Sequence, residues 1–272
     1  MPHEEPIEAV QHVHKMRGGA QSHLMRCSDG HYYVVKFQNN PQHLRVLANE
    51  LLGAELAHLL NLPVPHTKVV KVDPWLIEHT KELRIELVHG VISCVPGLQC
   101  GSRYVVAPSE GVVQDILPDS MLDRVRNLEM FAGALVLDKW TCNADGRQAA
   151  FWKKSRQRKW TVSFIDQGYC FNAGEWTFPD SPLRGVYGRN GVYQQITGWQ
   201  SFEPWLTRLQ ELDDQEIWEC AAKVPFEWYL DKTALEQLIS RLIRRKGELP
   251  RLITEFRLSS RQPFPNWCEP SN

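Results

Sequence analysis

The stretch at residues 138–166 restricts the fold more than any other part of the chain, because it places acids at the ends of two adjacent elements. Acids and amides crowd its first half, a basic turn follows, and residues 160–165 are typical of a strand that leads into Asp166. Phosphoryl transfer needs one carboxylate to orient an attacking hydroxyl and a second to hold magnesium at the nucleotide phosphates. The alternative is that Asn-Ala-Asp-Gly is simply a turn, since Asn, Asp and Gly favour turns for local backbone reasons.

A chain of 272 residues with 43% hydrophobic residues can form one large domain or two lobes around a cleft. Its formal net charge of −1 gives no global field for nucleic acid or an acidic membrane, so a charged partner must meet a local patch. The seven cysteines form no C-x-x-C pair or Cys/His cluster, which argues against a disulfide framework or a structural zinc. Residues 1–10 lack the apolar core of a secretory signal, and no apolar run reaches bilayer length. We therefore expect a cytoplasmic protein without direct nucleic-acid or membrane binding.

Residues 16–37 arrange a glycine pair, a Ser-Asp-Gly hairpin turn and a strand lysine in that order. Gly18 and Gly19 allow backbone amides to approach phosphates closely, although a plain turn is the other interpretation. Residues 31–37, HYYVVKF, predict a strand that carries Lys36 near its end. Such a lysine is either an exposed edge charge or a cation that holds phosphate, and kinase-type folds use this order of parts.

The apolar period of residues 41–60 predicts a helix with a broad buried face. Glu50 lies next to that face. A lone buried carboxylate is costly, so Glu50 either pairs with Lys36 or reaches water at the edge of the face. The prolines of Asn-Leu-Pro-Val-Pro end the helix.

The remaining chain divides into further elements and connectors. Residues 96–105 predict an irregular connector where a kinase hinge would hold adenine through backbone groups. Five cations within residues 153–159 predict a solvated hairpin tip, with a contact to an acidic partner or nucleic acid as the alternative. Residues 169–198 show little periodicity, and we interpret them as facing a substrate, with Arg184 and Arg189 as anion contacts. Strands are also predicted at residues 67–72 and 83–93, helices at residues 121–137, 213–222 and 233–245, and a poorly ordered tail after residue 255.

Four places in the chain, taken in order, resemble the HipA-like kinases, the family related to the bacterial toxin kinase HipA. Each is weak alone, but their order and spacing are fairly specific, and the resemblance covers residues 16–245. The four places are Arg17-Gly18-Gly19-Ala20-Gln21, the run YVVKF ending on Lys36 and Phe37 with Asn49-Glu50 and LNLPVP after it, Gly101-Ser102-Arg103-Tyr104, and Asn143-x-Asp145-Gly-Arg147 followed by Ile165-Asp166.

The resemblance implies an α+β, bilobal protein-kinase-like fold with an N-terminal β-sheet lobe and a helical C-terminal lobe. It implies a nucleotide-binding lobe at residues 1–100, a catalytic lobe at residues 101–255 and a tail at residues 256–272. The implied activity is transfer of the γ-phosphate of ATP, with Mg²⁺, to a protein serine or threonine. A toxin–antitoxin role with an antitoxin-like partner also follows from the resemblance, although we expect the chain to lack the extra N-terminal subdomain of HipA.

The same resemblance implies roles for individual residues. Asp145 matches the catalytic aspartate, with Asn143 and Arg147 beside it in the motif, and Asp166 matches the metal-binding aspartate. The implied nucleotide-binding residues are Lys36, its helix partner Glu50, and the phosphate-covering loop Gly18, Gly19, Ala20, Gln21 and Ser22.

Ala150 departs from the family pattern, which has a metal-binding asparagine at this position. Because an alanine cannot coordinate magnesium, either Gln148 or Asn143 supplies the missing oxygen, or only one ion is held firmly, or nucleotide binds without efficient transfer. The metal ligands that we expect are Asp166, as the resemblance implies, and Gln148, with Asn143 as the alternative. Two other hypotheses stay open: a nucleotide-binding pseudokinase or regulatory module, and an interaction protein that uses no nucleotide.

Overall fold

The computed structural model describes residues 5–268 and shows a mixed α+β chain, with most strands in its first part and most helices in its second. The strands are β1 (Ile7–Lys15), β2 (His23–Cys27), β3 (Tyr32–Lys36), β4 (Thr67–Val72), β5 (Arg84–Leu87), β6 (Gly90–Ser93), β7 (Gly97–Arg103), β8 (Gly111–Gln114), β9 (Gln148–Lys154) and β10 (Thr161–Ile165). The helices are α1 (Val46–Leu59), α2 (Pro74–His79), α3 (Met130–Thr141), α4 (Glu203–Glu211), α5 (Asp214–Ala222), α6 (Lys232–Arg245) and α7 (Leu249–Arg257).

Five of the strands close into a barrel in the order β1-β2-β3-β7-β4. In β3, Tyr33 and Val35 face the barrel interior and are almost completely buried. Because side chains alternate along a strand, Lys36 points to the opposite face. It is the last residue of β3 and pairs with Cys100 of β7, so its ammonium lies where the barrel meets α1.

Strand β7 replaces the irregular connector that the sequence predicted at residues 96–105. That prediction is wrong because glycine, a common loop signal, here allows close packing between strands. Gly101 instead lies in the packed barrel, where a Cβ would overlap the side chain of Val70. The strand is paired on both sides, with β3 and β4, and its pairing satisfies the backbone without an alternating apolar pattern.

Two predicted helices begin later than expected. Helix α1 begins at Val46 instead of residue 41, because side-chain bonds hold the preceding residues as a loop, including Asn40 Nδ2 to Ala20 O at 2.7 Å. The helix predicted at residues 121–137 is instead a 3-10 helix at residues 119–124 and then α3, from Met130. Arg124 O accepts from Trp160 N and Arg126 N donates to Trp160 O, and this bridge at Val125 separates the two helices.

The larger hydrophobic cluster is built around α3, in which every residue after Met130 is buried. Phe256 and Phe264 belong to this cluster and Trp267 packs against it, so the prediction of a poorly ordered tail is wrong for residues 256–268, while residues 269–272 lie outside the described residues. Helix α7 extends to Arg257, and Phe264 is buried against Tyr193 and Phe256. Aromatic contacts, not helical period, hold this segment.

Strands β8, β9 and β10 form a separate sheet in which β9 and β10 are an antiparallel hairpin. The hairpin tip predicted at residues 153–159 is confirmed. At the opposite end, Gln148 pairs directly with Ile165, so the side chain of Asp166 emerges next to the start of β9. None of the helices between residues 5 and 268 combines the length and apolar character that crossing a bilayer requires.

Candidate active site

The ammonium of Lys36 contacts two carboxylates that come from different parts of the chain. It contacts Glu50 Oε1 in α1 and lies 2.8 Å from Asp166 Oδ1, which directly follows β10. Lys36 and Glu50 are 8% and 4% exposed. The predicted pairing of Glu50 with Lys36 is therefore confirmed, and the alternative in which Glu50 reaches water is wrong.

The protonation of this cluster follows from its burial and its charges. Burial acts to lower the pKa of Lys36, but the charges of Glu50 and Asp166 outweigh it and raise the pKa. Burial acts to raise the pKa of Asp166, but Lys36 outweighs it and lowers the pKa to about 2. Burial is the largest influence on Glu50 and raises its pKa, while Lys36 acts against that rise. Lys36 is thus an ammonium and Asp166 a carboxylate at neutral pH.

Glu50 also fixes the backbone that carries Asp166. Gln167 N and Gly168 N donate to Glu50 Oε2 and Oε1, each at 3.0 Å. Asp166 has a φ of +61°, a left-handed conformation that side-chain-bearing residues rarely adopt without local support. A Cβ on Gly168 would lie 2.7 Å from Val46 Cγ2, so only glycine allows α1 to pack this closely on the turn.

Asn49 and His43, to which the sequence analysis gave no role, hold the segment after Asp166. Asn49 Nδ2 lies 2.8 to 2.9 Å from the carbonyl oxygens of Gly168, Cys170 and Ala173, and its Oδ1 accepts from the indole of Trp176 at 2.8 Å. His43 Nε2 lies 3.0 Å from Gly168 O. Asn49 belongs to the Asn49-Glu50 pair seen in the sequence, whereas no sequence pattern indicated His43.

The chain segments that carry Asp145 and Asp166 run side by side. Ala144 N donates to Tyr169 O at 2.8 Å, and Phe171 N donates to Thr141 O at 2.6 Å. Burial raises the pKa of the Tyr169 hydroxyl, and the charges of both Asp145 and Asp166 raise it further, so this ring lies near both acids. Asp145 is exposed, and the one hydrogen bond that its carboxylate accepts among the described residues comes from Gly146 N, at 2.8 Å.

Gln148 and Ala150 are two residues apart in β9 and therefore lie on the same face of the strand. Gln148 is exposed at the start of the strand, opposite Ile165, whereas Ala150 is 3% exposed and lies opposite Ser163. The hydroxyl of Ser163 accepts from the indole of Trp152 at 3.0 Å, so the surroundings of Ala150 are filled by protein atoms. Of the two amides considered in the sequence, Gln148 is exposed near Asp166 and Asn143 is buried.

Arg147 forms a buried ion pair with Asp138, and Asn143 donates a hydrogen bond to the same carboxylate. Arg147 Nε lies 3.0 and 3.1 Å from the two carboxylate oxygens of Asp138, and Arg147 Nη1 donates to Ile165 O and to Gln167 Oε1. Asn143 Nδ2 donates to Asp138 Oδ1 at 3.0 Å. The side chains of Asp138 and Arg147 are each 1% exposed, so this pair has no open side toward a substrate.

The predicted phosphate-covering loop joins β1 to β2. Gly18 has a φ of +117°, which requires glycine, and Gln21 N donates to Gly18 O at 3.1 Å. The side-chain amide of Gln21 is bonded to the backbone of Glu86 in β5. Gln21 Nε2 donates to Glu86 O at 2.7 Å, and Glu86 N donates to Gln21 Oε1 at 2.8 Å. Lys15 Nζ donates to the same Oε1 at 2.9 Å. Two other residues of the loop, Ala20 and Ser22, are buried.

In the long segment at residues 169–198, Arg184 and Arg189 contact other groups of the protein. Arg184 contacts Asn172, and Arg189 contacts Asp119 and the carbonyl of Leu117, so neither is the free anion contact that the sequence predicted. Lys139 also anchors the segment, by donating to the carbonyl oxygens of Ser181, Pro182 and Arg184 at 2.8 to 3.2 Å. No local sequence pattern indicates this anchor, because Lys139 is at least 42 residues away in the chain from the carbonyl groups that it contacts.

The donor atoms in this region suit a hard divalent cation. Among residues 5–268 no group of three or more His, Cys, Asp and Glu side chains could hold a metal ion. Magnesium typically uses only one or two protein carboxylates and takes its remaining ligands from phosphates and water, which Asp166 with the Gln148 amide would satisfy. Two cavities, of about 770 and 320 Å³, lie elsewhere on the barrel side and contain none of these residues. The candidate site is identified by the charged cluster of Lys36, Glu50 and Asp166.

The fold and this cluster together define the class, which is a protein-kinase-like fold. Solved kinases of low sequence identity share it: a Golgi casein kinase with Mn/ADP bound (15% identity, TM-score 0.57, covering 95% of this chain and 74% of that one) and the Helicobacter pylori proinflammatory kinase CtkA (13%, 0.60, 94% and 100%). Hydra Fam20, solved with sugar, is similar at 10% identity and a TM-score of 0.56, covering 95% of this chain and 88% of that one.

The chain belongs to the HipA-like kinase family, whose model matches residues 8–247. This confirms the resemblance seen in the sequence motifs. A comparison with curated proteins finds no match.

Proposed function

We propose that this protein is an ATP-dependent phosphotransferase that transfers the γ-phosphate to a serine or threonine of a protein substrate. The observation that supports this most is the contact of Lys36 with both Glu50 and Asp166, three charges from separate elements. A buried ion cluster is a poor source of stability, because desolvation offsets much of the attraction between the charges. Its carboxylate and ammonium are, however, the groups that a metal–triphosphate complex needs. The Golgi casein kinase bound to Mn/ADP, which has the same fold, supports the use of a nucleotide and a divalent cation.

The proposed roles follow the positions of the side chains. Lys36 would hold the nucleotide phosphates, and Asp166 with Gln148 would hold Mg²⁺, which neutralises phosphate charge when it is bound. Asp145, exposed and nearly free of hydrogen bonds, would orient the attacking hydroxyl and accept its proton. We further propose that residues 1–100 and 101–255 act as two lobes with the nucleotide between them.

The remaining predicted site residues would support these groups. Gly18, Gly19, Ala20 and Ser22 would cover the phosphates with backbone amides, while Gln21 would hold the loop through its bonds to Glu86. Because Asn143 and Arg147 are buried against Asp138, we propose that they position Asp145 and Asp166 without contacting the substrate. Antitoxin binding and a cytoplasmic location stay predictions from the family resemblance.

Radiolabelled ATP with Mg²⁺ tests the proposal directly. The purified protein should label itself or an added mixture of Ser/Thr-containing proteins, and acid hydrolysis should yield phosphoserine or phosphothreonine. Chelation of the metal should stop the labelling. The matched controls are Asp145→Asn, which should be inactive, and Glu129→Gln, a change at an exposed acid outside the site, which should be active. Equal labelling by both variants would contradict the proposal.

A nucleotide-binding protein without efficient transfer is the second candidate, and the burial of Ala150 is the observation that favours it. An alanine at this position leaves the site one metal ligand short of the family pattern. This candidate predicts that ATP with Mg²⁺ raises the melting temperature while no label reaches protein, water or small molecules. Transfer of label by the wild type, with none by Asp145→Asn, would exclude it.

A further inference from the structure

The turn between β9 and β10 belongs to a larger basic surface than its sequence indicated. Trp160 N donates to Arg124 O at 2.8 Å, and Arg126 N donates to Trp160 O at 2.9 Å, so residues 124–126 lie along the base of the turn. Val125 between them is buried, which leaves Arg124 and Arg126 on the outer face. We refer to this surface as the basic ridge: Arg124, Arg126, Lys153, Lys154, Arg156, Arg158 and Lys159.

The basic ridge is held in one shape by its own contacts. Ser155 donates to Glu110 O through both its backbone N, at 2.9 Å, and its hydroxyl, at 3.0 Å. Lys153 Nζ lies 4.8 Å from the centre of the Trp160 ring, which is 5% exposed and packs on the core. A partner that binds here would therefore pay little to order the turn.

Most of the cations on the ridge have no acidic partner. Lys154 lies 3.8 Å from Glu110, but both side chains are 58% exposed, and such a pair contributes little. Among residues 5–268 no carboxylate pairs with the side chains of the other exposed cations, and the nearest acid in sequence is Asp123. This concentration of positive charge stands out in a chain whose net charge is −1. The exposed ridge cations without a carboxylate partner in the described part of the chain are Arg124, Arg126, Arg156, Arg158 and Lys159.

The hairpin itself connects the ridge to the candidate active site. Strand β10 leaves the turn at Thr161 and ends immediately before Asp166. At about 3.3 Å per residue, the two ends of this strand are roughly 17 Å apart. A substrate chain that reaches both places must therefore contribute at least about five extended residues between them.

We propose that the basic ridge docks an acidic segment of the protein substrate, at least about five residues away from the serine or threonine that accepts phosphate. The proposal rests on the proposed function and adds the class of substrate. A protein is favoured over nucleic acid because the Trp160 ring is buried under Lys153 and offers no stacking face for a base.

Fluorescence anisotropy with the full chain and a labelled peptide tests the docking separately from catalysis. The probe has one serine, a seven-residue neutral spacer and six glutamates. We expect Arg156→Glu with Arg158→Glu, and separately Arg124→Glu with Arg126→Glu, to weaken binding by about tenfold or more, and added salt to weaken wild-type binding. The matched control is Arg26→Glu with Arg244→Glu, which changes the net charge equally at exposed positions outside the ridge and should bind like the wild type. Unchanged binding in either ridge variant, or tighter binding of a single-stranded DNA of similar length, would overturn the proposal.

Peptide phosphorylation then tests the spacing. The peptide with the seven-residue spacer should have a KM about tenfold below that of a peptide without glutamates, and this advantage should vanish in both ridge variants. A peptide with glutamates directly beside the serine should gain much less, and an equal gain would contradict the spacing. If no peptide is phosphorylated while binding still depends on the ridge, the proposed function is wrong and the docking surface stands.

Discussion

Two buried ion clusters lie close together in this protein, and they differ in how far their charged side chains are exposed and hydrogen-bonded. In the first, Lys36 contacts Glu50 and Asp166, and the Asp166 side chain keeps 19% of its surface exposed. In the second, Asp138 and Arg147 are each 1% exposed, and Arg147 has hydrogen-bond partners on all three guanidinium nitrogens. Burial of charge is common to both, so burial alone does not mark a site. What distinguishes the first cluster is that its Asp166 carboxylate is partly exposed.

The sealed pair explains how the open cluster is placed. Arg147 joins the end of α3, through Asp138, to the end of β10, through Ile165 O, and to Gln167 Oε1. Asp145 emerges between these anchors, and Asp166 follows Ile165 directly. The comparison therefore assigns stability to one cluster and chemistry to the other, and substitutions in each should separate the two.

The largest expected effect is on catalysis, from Asp145→Asn. Loss of the orienting carboxylate should reduce kcat about 10⁴-fold, or ~5 kcal/mol of barrier, because asparagine cannot accept the proton. The asparagine oxygen can still accept from Gly146 N, so the melting temperature should change by no more than about 2 °C. Parallel kinetics and calorimetry check this. A stability loss as large as that expected for a buried substitution would show that Asp145 supports the fold, as Asp138 and Arg147 do, and would contradict this prediction.

Arg147→Met should have the opposite profile. It leaves Asp138 buried without its partner, which costs about 3–5 kcal/mol and lowers the melting temperature by roughly 10 °C. Removing both charges, as Asp138→Leu with Arg147→Met, should recover part of that loss because no unpaired charge remains. Arg156→Met, at an exposed cation of the basic ridge, is the control and should melt like the wild type. A double variant less stable than Arg147→Met would contradict this account of the pair.

Acid should weaken the open cluster in a defined pH window. The pKa of Asp166 is lowered from 3.8 to about 2, so its contribution is complete above pH 3.8 and is lost as the pH falls toward 2. The wild type should lose about 2 kcal/mol of unfolding free energy from this group across that window. Urea unfolding at several pH values checks this loss. Asp166→Asn should lack this part of the pH dependence, and an identical dependence in both proteins would show that Asp166 is not held by Lys36.

The smallest expected effect is that of Gln148→Ala. If Gln148 supplies the oxygen that Ala150 cannot, the magnesium concentration for half-maximal transfer should rise about tenfold, corresponding to ~1.4 kcal/mol. Gln148→Glu keeps an oxygen ligand and should restore the low requirement. Magnesium titrations of the three proteins make the test. An unchanged requirement in Gln148→Ala would leave Asp166 as the one protein ligand among the residues proposed here.

The sequence predicted the order of parts better than their boundaries. The strand that ends on Lys36, its pairing with Glu50 and the hairpin tip before Asp166 were predictable because alternation, helical period and the cost of a buried carboxylate act locally. The central strand at residues 97–103 was missed because glycine there reflects tight packing between barrel strands and not a turn. No local rule could show this, since the contact with Val70 depends on the closed barrel.

Roles within the polar motif were the least predictable. The sequence does not show which of the polar residues Asn143, Asp145 and Arg147 is exposed. In the structure Asp145 is exposed and the other two are buried. The difference depends on Asp138, whose partner could not be chosen among many cations without coordinates. The contacts made by His43 and the amide of Gln21 are likewise set by distant segments, Gly168 and Glu86.

A structure determined with Mg²⁺ and a non-hydrolysable ATP analogue tests the central claim most directly. We predict the triphosphate beside Lys36, with Mg²⁺ about 2.0–2.1 Å from an Asp166 oxygen and the terminal phosphate facing Asp145. A nucleotide bound instead in the cavity of about 770 Å³ between β1 and β5, with Lys36 still closed between Glu50 and Asp166, would contradict it.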